Sequence, residues 1–364
     1  MSARFSETDL RSMRRALALA RRGLGRVSPN PAVGAVLVRE GRVLGEGYHR
    51  RAGLPHAEVE AIEDAARRGN APKGATLYVT LEPCCTTGRT PPCVDRIIRE
   101  GIARVVVGMV DPNPLHRGRG LSLLSGQGID VSQGLLEEEV RELNRGFVRW
   151  ITSGRPWVVQ KSATSLDGRI GTRPGDSRWL SGPASLRMAH RLRWEADAIL
   201  IGAETARQDD PELSVRLPGR KGKRQPWRVV ISRSGQLPAS LRLLTDSARE
   251  RTLVFRNFPL PLVLEELGRR GVLQALVEGG GKLAGSLLAE GLIDEVALFL
   301  CPTILGEGAL SVDPPRPSLG EHFQLRECRR LGDDLFLRGI RRDSEGVDAA
   351  RGKAGCGTTG KENQ

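Results

Sequence analysis

The sequence predicts a two-domain α/β protein, and three observations carry that expectation. At 364 residues the chain is long enough for two cores of ordinary size. Short apolar runs alternate with amphipathic stretches of helical spacing along most of its length. A turn cluster, Ser153-Gly154-Arg155-Pro156, interrupts this alternation near the middle, after which the pattern restarts with a strand over 157–163. The expected division is 1–152 for the first domain, 153–342 for the second and 343–364 for a tail. The tail is rich in Gly, Ala, Lys and Glu with almost no bulky apolar residue, so it is expected to be disordered.

Composition narrows the function classes. Hydrophobic content of 39% and charged content of 27% fit a globular chain. No apolar run approaches membrane-spanning length and Met1 to Leu10 lacks the order of a signal peptide, so the expectation is a cytoplasmic protein without a membrane partner. The net charge of +13 asks for an anionic partner, either nucleic acid or a phosphorylated small molecule. The basic residues are dispersed rather than gathered in a stripe. Aromatic content of 4% offers little for base stacking, which disfavours nucleic acid.

In the first half, Ser6 and Asp9 form a capping box ahead of a helix carrying Leu10, Met13, Leu17 and Ala20 on one face. Strands follow over 32–38 and 43–47, with Asn30 in the turn before them. A helix opens at His56, with Glu58 in its first turn. A strand over 75–80 delivers Glu82-Pro83-Cys84 at its C-terminal end, and Cys93 opens the next helix, where a thiol ionises readily. A strand over 103–108 and one helix from Leu135 to Phe147 complete the domain. His56, Cys84 and Cys93 are one imidazole and two thiols, three donors that leave the fourth tetrahedral position on zinc open for water. Zinc would make that water acidic enough to attack an amidine-like ring carbon, with Glu58 shuttling the proton. The cysteines stand at Cys-x8-Cys, wider than the Cys-x-x-Cys of zinc nucleobase deaminases.

Two alternatives compete. A nucleic-acid base deaminase would need the tighter cysteine pair and an aromatic or basic docking surface. A structural zinc would need a fourth protein ligand, for which only Cys85 or His49 is near in sequence.

In the second half, strands are expected over 157–163, 198–201, 228–231, 252–255, 273–277 and 295–300, with helices over 183–194 and 282–290. Val277-Glu-Gly-Gly-Gly-Lys282 places a glycine run between strand and helix, where backbone amides cradle phosphate, although a tight turn would also explain it. Ser165-Leu-Asp-Gly168 and Asp209-Asp-Pro211 are loops able to hold a polyhydroxylated ligand.

Together, Pro29-Asn-Pro-Ala-Val-Gly34, Gly47-Tyr-His-Arg-Arg-Ala-Gly53, Pro55-His-Ala-Glu58, Thr80-Leu-Glu-Pro-Cys84, Gly88-Arg-Thr-Pro-Pro-Cys93 and Asp111-Pro-Asn-Pro114 resemble the bifunctional riboflavin-biosynthesis deaminase/reductase family. Lys161-Ser-Ala-Thr-Ser-Leu-Asp-Gly168, Asp210-Pro211 and Val277-Glu-Gly-Gly280 extend the resemblance to roughly Glu7–Arg341. It implies a cytidine-deaminase-like α/β/α sandwich followed by a dihydrofolate-reductase-like α/β domain. The first would deaminate a phosphorylated diamino-ribosylamino-pyrimidinone, and the second would reduce the ribose to a ribityl chain with NADPH.

Carried over by residue, His56, Cys84 and Cys93 hold Zn2+ and Glu58 is the general acid/base. Asn30, His49 and Arg89 contact the substrate of the first domain. Ala163, Trp179, Thr205, Gly280, Gly281, Lys282 and Leu283 contact NADPH. Ser177, Arg193, Asp209, Leu213, Arg216 and Glu278 lie near substrate or cofactor, with Asp209 a candidate proton donor. The resemblance further implies a small-molecule substrate and a homo-oligomer. One departure stands out: Cys85-Thr86 occupies the place where the family commonly carries Ser-His. The expected cost is altered substrate affinity, with Cys85 a competing thiol beside the metal. The individually weaker motifs of the second half also leave room for a domain that binds without catalysing.

Overall fold

A computed structural model describes residues 5–88, 90–171, 180–217, 225–313 and 322–342. Arg89, Ser177, Trp179 and the tail 343–364 lie outside the described residues. The chain divides into two compact units, Met1–Arg155 with Gly271–Leu273, and Pro156–Arg270 with Gln274–Gln364.

The first unit runs α1 (Glu7–Ala20), β1 (Gly34–Arg39), β2 (Arg42–Tyr48), α2 (Ala57–Arg67), β3 (Thr76–Leu81), α3 (Cys93–Arg99), β4 (Arg104–Met109), α4 (Arg119–Gly126), β5 (Asp130–Gln133), α5 (Glu137–Leu143) and α6 (Arg145–Ser153). Its five-stranded sheet has the order β2-β1-β3-β4-β5. The β2-β1 and β1-β3 pairs are antiparallel, and β3-β4 and β4-β5 are parallel. Helices cover both faces, so β3 and β4 are almost wholly apolar and buried rather than alternating.

Ser6 caps α1, accepting from the Asp9 amide while the Asp9 carboxylate accepts from the Ser6 amide. The buried residues Met13, Ala16, Leu17 and Ala20 then face the sheet. Close approach depends on glycine: a Cβ at Gly34 would lie 2.1 Å from the Ala16 carbonyl oxygen, and one at Gly45 would lie 2.3 Å from that of Ala61 in α2.

Where one helix from Leu135 to Phe147 was expected, the structure has two, α5 and α6, divided at Asn144. The Asn144 side chain accepts from the Ala32 amide (2.7 Å) and donates to the Ala32 carbonyl (3.0 Å), a long-range clamp on the loop leading into β1. That clamp fixes the residue at φ −106° and ψ 19°, outside helical geometry.

The second unit comprises β6 (Trp157–Thr164), α7 (Pro183–Glu195), β7 (Ala198–Gly202), α8 (Ala203–Asp209), β8 (Trp227–Ser232), α9 (Arg242–Thr245), β9 (Thr252–Arg256), α10 (Leu260–Arg269), β10 (Gln274–Val277), α11 (Gly281–Ala289), β11 (Glu295–Leu300), β12 (Phe323–Leu331) and β13 (Asp334–Arg341). The eight-stranded sheet has the order β12-β13-β11-β6-β10-β7-β8-β9. It is parallel from β11 to β9 and ends in an antiparallel hairpin, β12-β13. The chain passes from β7 to β8 on one side and from the neighbouring β10 to β11 on the other, which opens a crevice at the C-terminal ends of β7 and β10.

Asp9 anchors α1 to the sheet by accepting from Tyr78 Oη (2.7 Å) and Arg104 Nη1 (2.8 Å). Burial alone would raise its pKa, but the bonds from Tyr78, Ser6 and Arg104 outweigh burial and hold it at about 2. The unfolded carboxyl titrates near ~3.9, so the folded state gains stability above that pH and loses it as pH falls from about 4 toward 2. Asp9→Asn is therefore expected to remove about 2 kcal/mol at neutral pH, order of magnitude, and to flatten the acid limb. Urea midpoints of the two proteins between pH 2 and 7 check this.

Candidate active sites

His56 is the N-cap of α2 rather than a member of its first turn, in extended backbone at φ −75° and ψ 166°. His56 therefore precedes the helix, while Glu58 lies inside its first turn. The donor atoms of His56, Cys84 and Cys93 all lie within 4.8 Å of one another. His56 Nδ1 is 3.3 Å from Cys93 Sγ and 3.5 Å from Cys84 Sγ. Tetrahedral zinc with bonds of ~2.1 Å to nitrogen and ~2.3 Å to sulfur separates such donors by about 3.6 Å, so this set fits zinc. Thr90 Oγ1 stands 3.4 Å from His56 Nε2 and steadies the other ring nitrogen.

Hydrogen bonding from Cys93 and, against the burial penalty, from His56 pushes the Cys84 thiol down to about 4. Contrary to the expectation that its place at the start of a helix would ionise it, Cys93 is held well above its ordinary value by the same bond and by burial. Glu58 is 3% exposed, and burial, followed by the charge of Cys84, raises its carboxyl to about 7. A carboxyl poised near neutrality both accepts and returns a proton.

The two candidates for a fourth ligand are engaged elsewhere. His49 Nδ1 is 3.1 Å from the Pro55 carbonyl and must donate to it, which leaves Nε2 to accept from Asn30 Nδ2 at 3.0 Å. Burial lowers the pKa of His49 and keeps the ring neutral. Cys85 Sγ turns instead toward His116 Nδ1, 3.6 Å away, so it does not compete for the metal position. Among the described residues only His56, Cys84 and Cys93 form a metal-ligating cluster, which leaves a coordination position for water.

Beside this cluster, the buried Glu82 carboxylate accepts backbone amides of Asp111 (3.1 Å), Gly118 (2.8 Å) and Gly120 (2.9 Å). It fastens the loop that brings His116 over Cys85.

In the second unit a cavity of about 970 Å³ occupies the crevice. Ala163, Arg193, Thr205, Asp209, Leu213, Arg216, Glu278 and the run Gly280–Leu283 all line it, so every described residue expected in the second site is gathered there. Arg193 Nε and Nη2 donate to Glu278 Oε1 and Oε2 at 2.6 and 2.7 Å, a bidentate pair. Burial would raise Glu278, but Arg193 and Lys161 outweigh it and hold the carboxyl near 2. The Gly280 amide donates to Thr205 Oγ1 (3.2 Å), and the nine-residue α11 starts one residue later. A Cβ at Gly281 would lie 2.1 Å from the Leu310 carbonyl oxygen, so only glycine lets this loop pass the helix N-terminus. Asp210 (φ 38°) and Leu213 (φ 51°) adopt left-handed backbone beside Asp209, a strained turn that Asp210 Oδ1 secures by accepting the Arg242 amide.

Sequence reasoning missed Glu82, His116, Lys161 and His190. Lys161 had left a trace, the one charged residue in β6, and burial pushes its ammonium below the ordinary lysine value. The partners of the other three lie in distant segments that no local pattern announces.

Comparison with known proteins finds two different families along the chain. Residues 6–109 match the family model for the cytidine and deoxycytidylate deaminase zinc-binding region, and residues 156–337 match the RibD C-terminal domain. The chain is 42% identical to the riboflavin biosynthesis protein RibD of Aquifex aeolicus over 354 residues, 91% of this chain and 98% of the relative. It is 40% identical to the RibD of Escherichia coli over 359 residues, 89% and 97% of the two chains. Among solved structures, Acinetobacter baumannii RibD superposes with TM-score 0.85 at 35% identity, covering 92% of this chain and 99% of that one.

Glu82→Gln retains one carbonyl oxygen where three amides need acceptors. It is expected to destabilise the first unit by about 1–3 kcal/mol, order of magnitude. Amide hydrogen exchange should accelerate at 111–120 and stay unchanged in α1.

Proposed function

This chain belongs to the RibD family of riboflavin-biosynthesis proteins, and from that premise we propose how its own residues divide the family's two reactions. It is a bifunctional enzyme with a zinc-dependent deaminase domain followed by an NADPH-dependent reductase domain. A Thermotoga maritima relative of solved structure, 37% identical with TM-score 0.82, is described as a diaminohydroxyphosphoribosylaminopyrimidine deaminase/5-amino-6-(5-phosphoribosylamino)uracil reductase. We take the same substrates for this chain: hydrolytic deamination of 2,5-diamino-6-(5-phosphoribosylamino)pyrimidin-4(3H)-one, then reduction of its ribosyl group to ribityl.

One observation carries the deaminase assignment. Three donors spaced for zinc stand beside a buried carboxyl raised to about 7, and no fourth ligand joins them among the described residues. Bound zinc supplies the Lewis acidity that lets water react at neutral pH. His56, Cys84 and Cys93 hold the ion. Glu58 takes a proton from the attacking water and returns it to the departing amine, so ammonia leaves neutral. Asn30, oriented by His49, presents its amide to the pyrimidine, and Arg89 takes the phosphate end.

In the second domain NADPH supplies hydride. Thr205, Ala163, Trp179 and the Gly280–Leu283 turn would hold the cofactor, with the helix start at α11 suited to its phosphates. Arg193 and Glu278 lock each other into one geometry against the substrate, together with Ser177, Leu213 and Arg216. Asp209 delivers the proton that completes reduction. Thiolate ligands suit a reducing compartment, so the enzyme is placed in the cytoplasm, and it is assigned as a homo-oligomer acting on a soluble phosphorylated pyrimidine rather than nucleic acid. Among the described residues no helix is long and apolar enough to cross a membrane.

Glu58→Gln removes the proton carrier without removing a ligand. Ammonia release is expected to fall by roughly 10²–10⁴-fold, with zinc content unchanged. NADPH oxidation on the deaminated intermediate should keep its wild-type rate. Wild-type ammonia release in this variant would remove Glu58 from the mechanism.

A further inference from the structure

One face of α7 turns four residues into the reductase cavity, Leu186, Ala189, His190 and Arg193, at the spacing of a single helical stripe. Three are apolar or already described, and His190 is neither. Its Nδ1 accepts the Arg216 backbone amide at 3.3 Å, so the proton of a neutral ring sits on Nε2. The charged groups around the ring are Arg193, Arg216 and Lys161 with the carboxylate Glu278, and Arg216 Nη1 also donates to Glu212 Oε2 at 2.7 Å on the cavity wall. Both Glu278 oxygens are taken by Arg193. A neutral N–H donor beside Lys161 and two arginines, each arginine held in place by a carboxylate, is suited to the charged end of a ligand. Burial first, then Arg193 and Arg216, push the imidazole below its ordinary value, which keeps it a neutral donor.

We propose that His190 positions the reductase substrate, fixing the Arg216 loop through Nδ1 and donating Nε2–H to the phosphate monoester of the ribosylaminopyrimidine. This rests on the reductase reading above. The reaction occurs at the ribose carbon bonded to nitrogen and the phosphate sits at the far end of the sugar. His190 therefore governs binding of the phosphate rather than the hydride step.

Two substitutions separate its two nitrogens. His190→Asn keeps an acceptor near Nδ1 and loses the distal donor, whereas His190→Gln places an amide N–H near Nε2. NADPH oxidation is measured on zinc-loaded, full-length protein with 5-amino-6-(5-phosphoribosylamino)uracil and with its dephosphorylated form. Ammonia release in the same preparations reports an intact chain. His190→Asn should raise KM for the phosphorylated substrate roughly tenfold, as for one hydrogen bond to a charged group, with kcat and the NADPH KM unchanged. Inhibition by inorganic phosphate should weaken by the same factor, the dephosphorylated substrate should not distinguish the proteins, and His190→Gln should recover most of the loss. A wild-type KM in His190→Asn, an equal loss on both substrates, an equal loss in His190→Gln or a shift confined to NADPH would each overturn the proposal. A wild-type protein that fails to oxidise NADPH would instead remove the reductase reading itself.

Discussion

The deaminase site depends on how closely α2 can lie against β2. A Cβ at Gly45 would sit 2.4 Å from the Ala65 amide nitrogen, and one at Gly47 would sit 2.6 Å from that of Ala61, so any larger residue would lift the helix off the sheet. His56 and Glu58 ride on the N-terminal end of that helix, and Cys84 is set by β3, two strands away. A displacement of α2 by one methyl radius would separate an imidazole from sulfurs that now lie 3.3 and 3.5 Å from it. The chemistry at the metal is thereby tied to glycines that touch no substrate.

A second constraint is electrostatic and acts in the other unit. Lys161, Arg193 and Glu278 come from β6, α7 and the end of β10, and none could be left charged and unpaired in the crevice. The bidentate Arg193–Glu278 pair satisfies both partners and fixes α7 relative to the strand ends. The strained turn at Asp210 and Leu213 closes the other side of the same cavity. Rigid charges on helices and strands, with a strained loop between them, keep the cavity preformed for an anionic substrate and its cofactor.

Much of this was legible in the sequence where the signal is local. The Ser6 cap, the buried strands β3 and β4 and the glycine run before α11 follow from residue type and spacing alone. The cluster that could hold a metal was legible because few other functions need one histidine and two Pro-Cys steps on adjacent elements. What escaped depends on partners distant in the chain. Asn144 breaks a helix because its side chain is committed to Ala32. The hairpin β12-β13 escaped because β12 is largely exposed and carries no alternation of apolar residues. Cys85 read as a threat to the metal until the loop fastened by Glu82 brought His116 to it.

The central claim is that one chain carries two working sites, each built from its own residues. The most direct measurement supplies purified, zinc-loaded protein with 2,5-diamino-6-(5-phosphoribosylamino)pyrimidin-4(3H)-one. Ammonia is followed first without NADPH, and NADPH oxidation is followed after the cofactor is added. The account predicts both signals in that order, with NADPH consumed in proportion to the ammonia released. Ammonia without NADPH oxidation would contradict the reductase assignment, and the absence of both would contradict the account at its root.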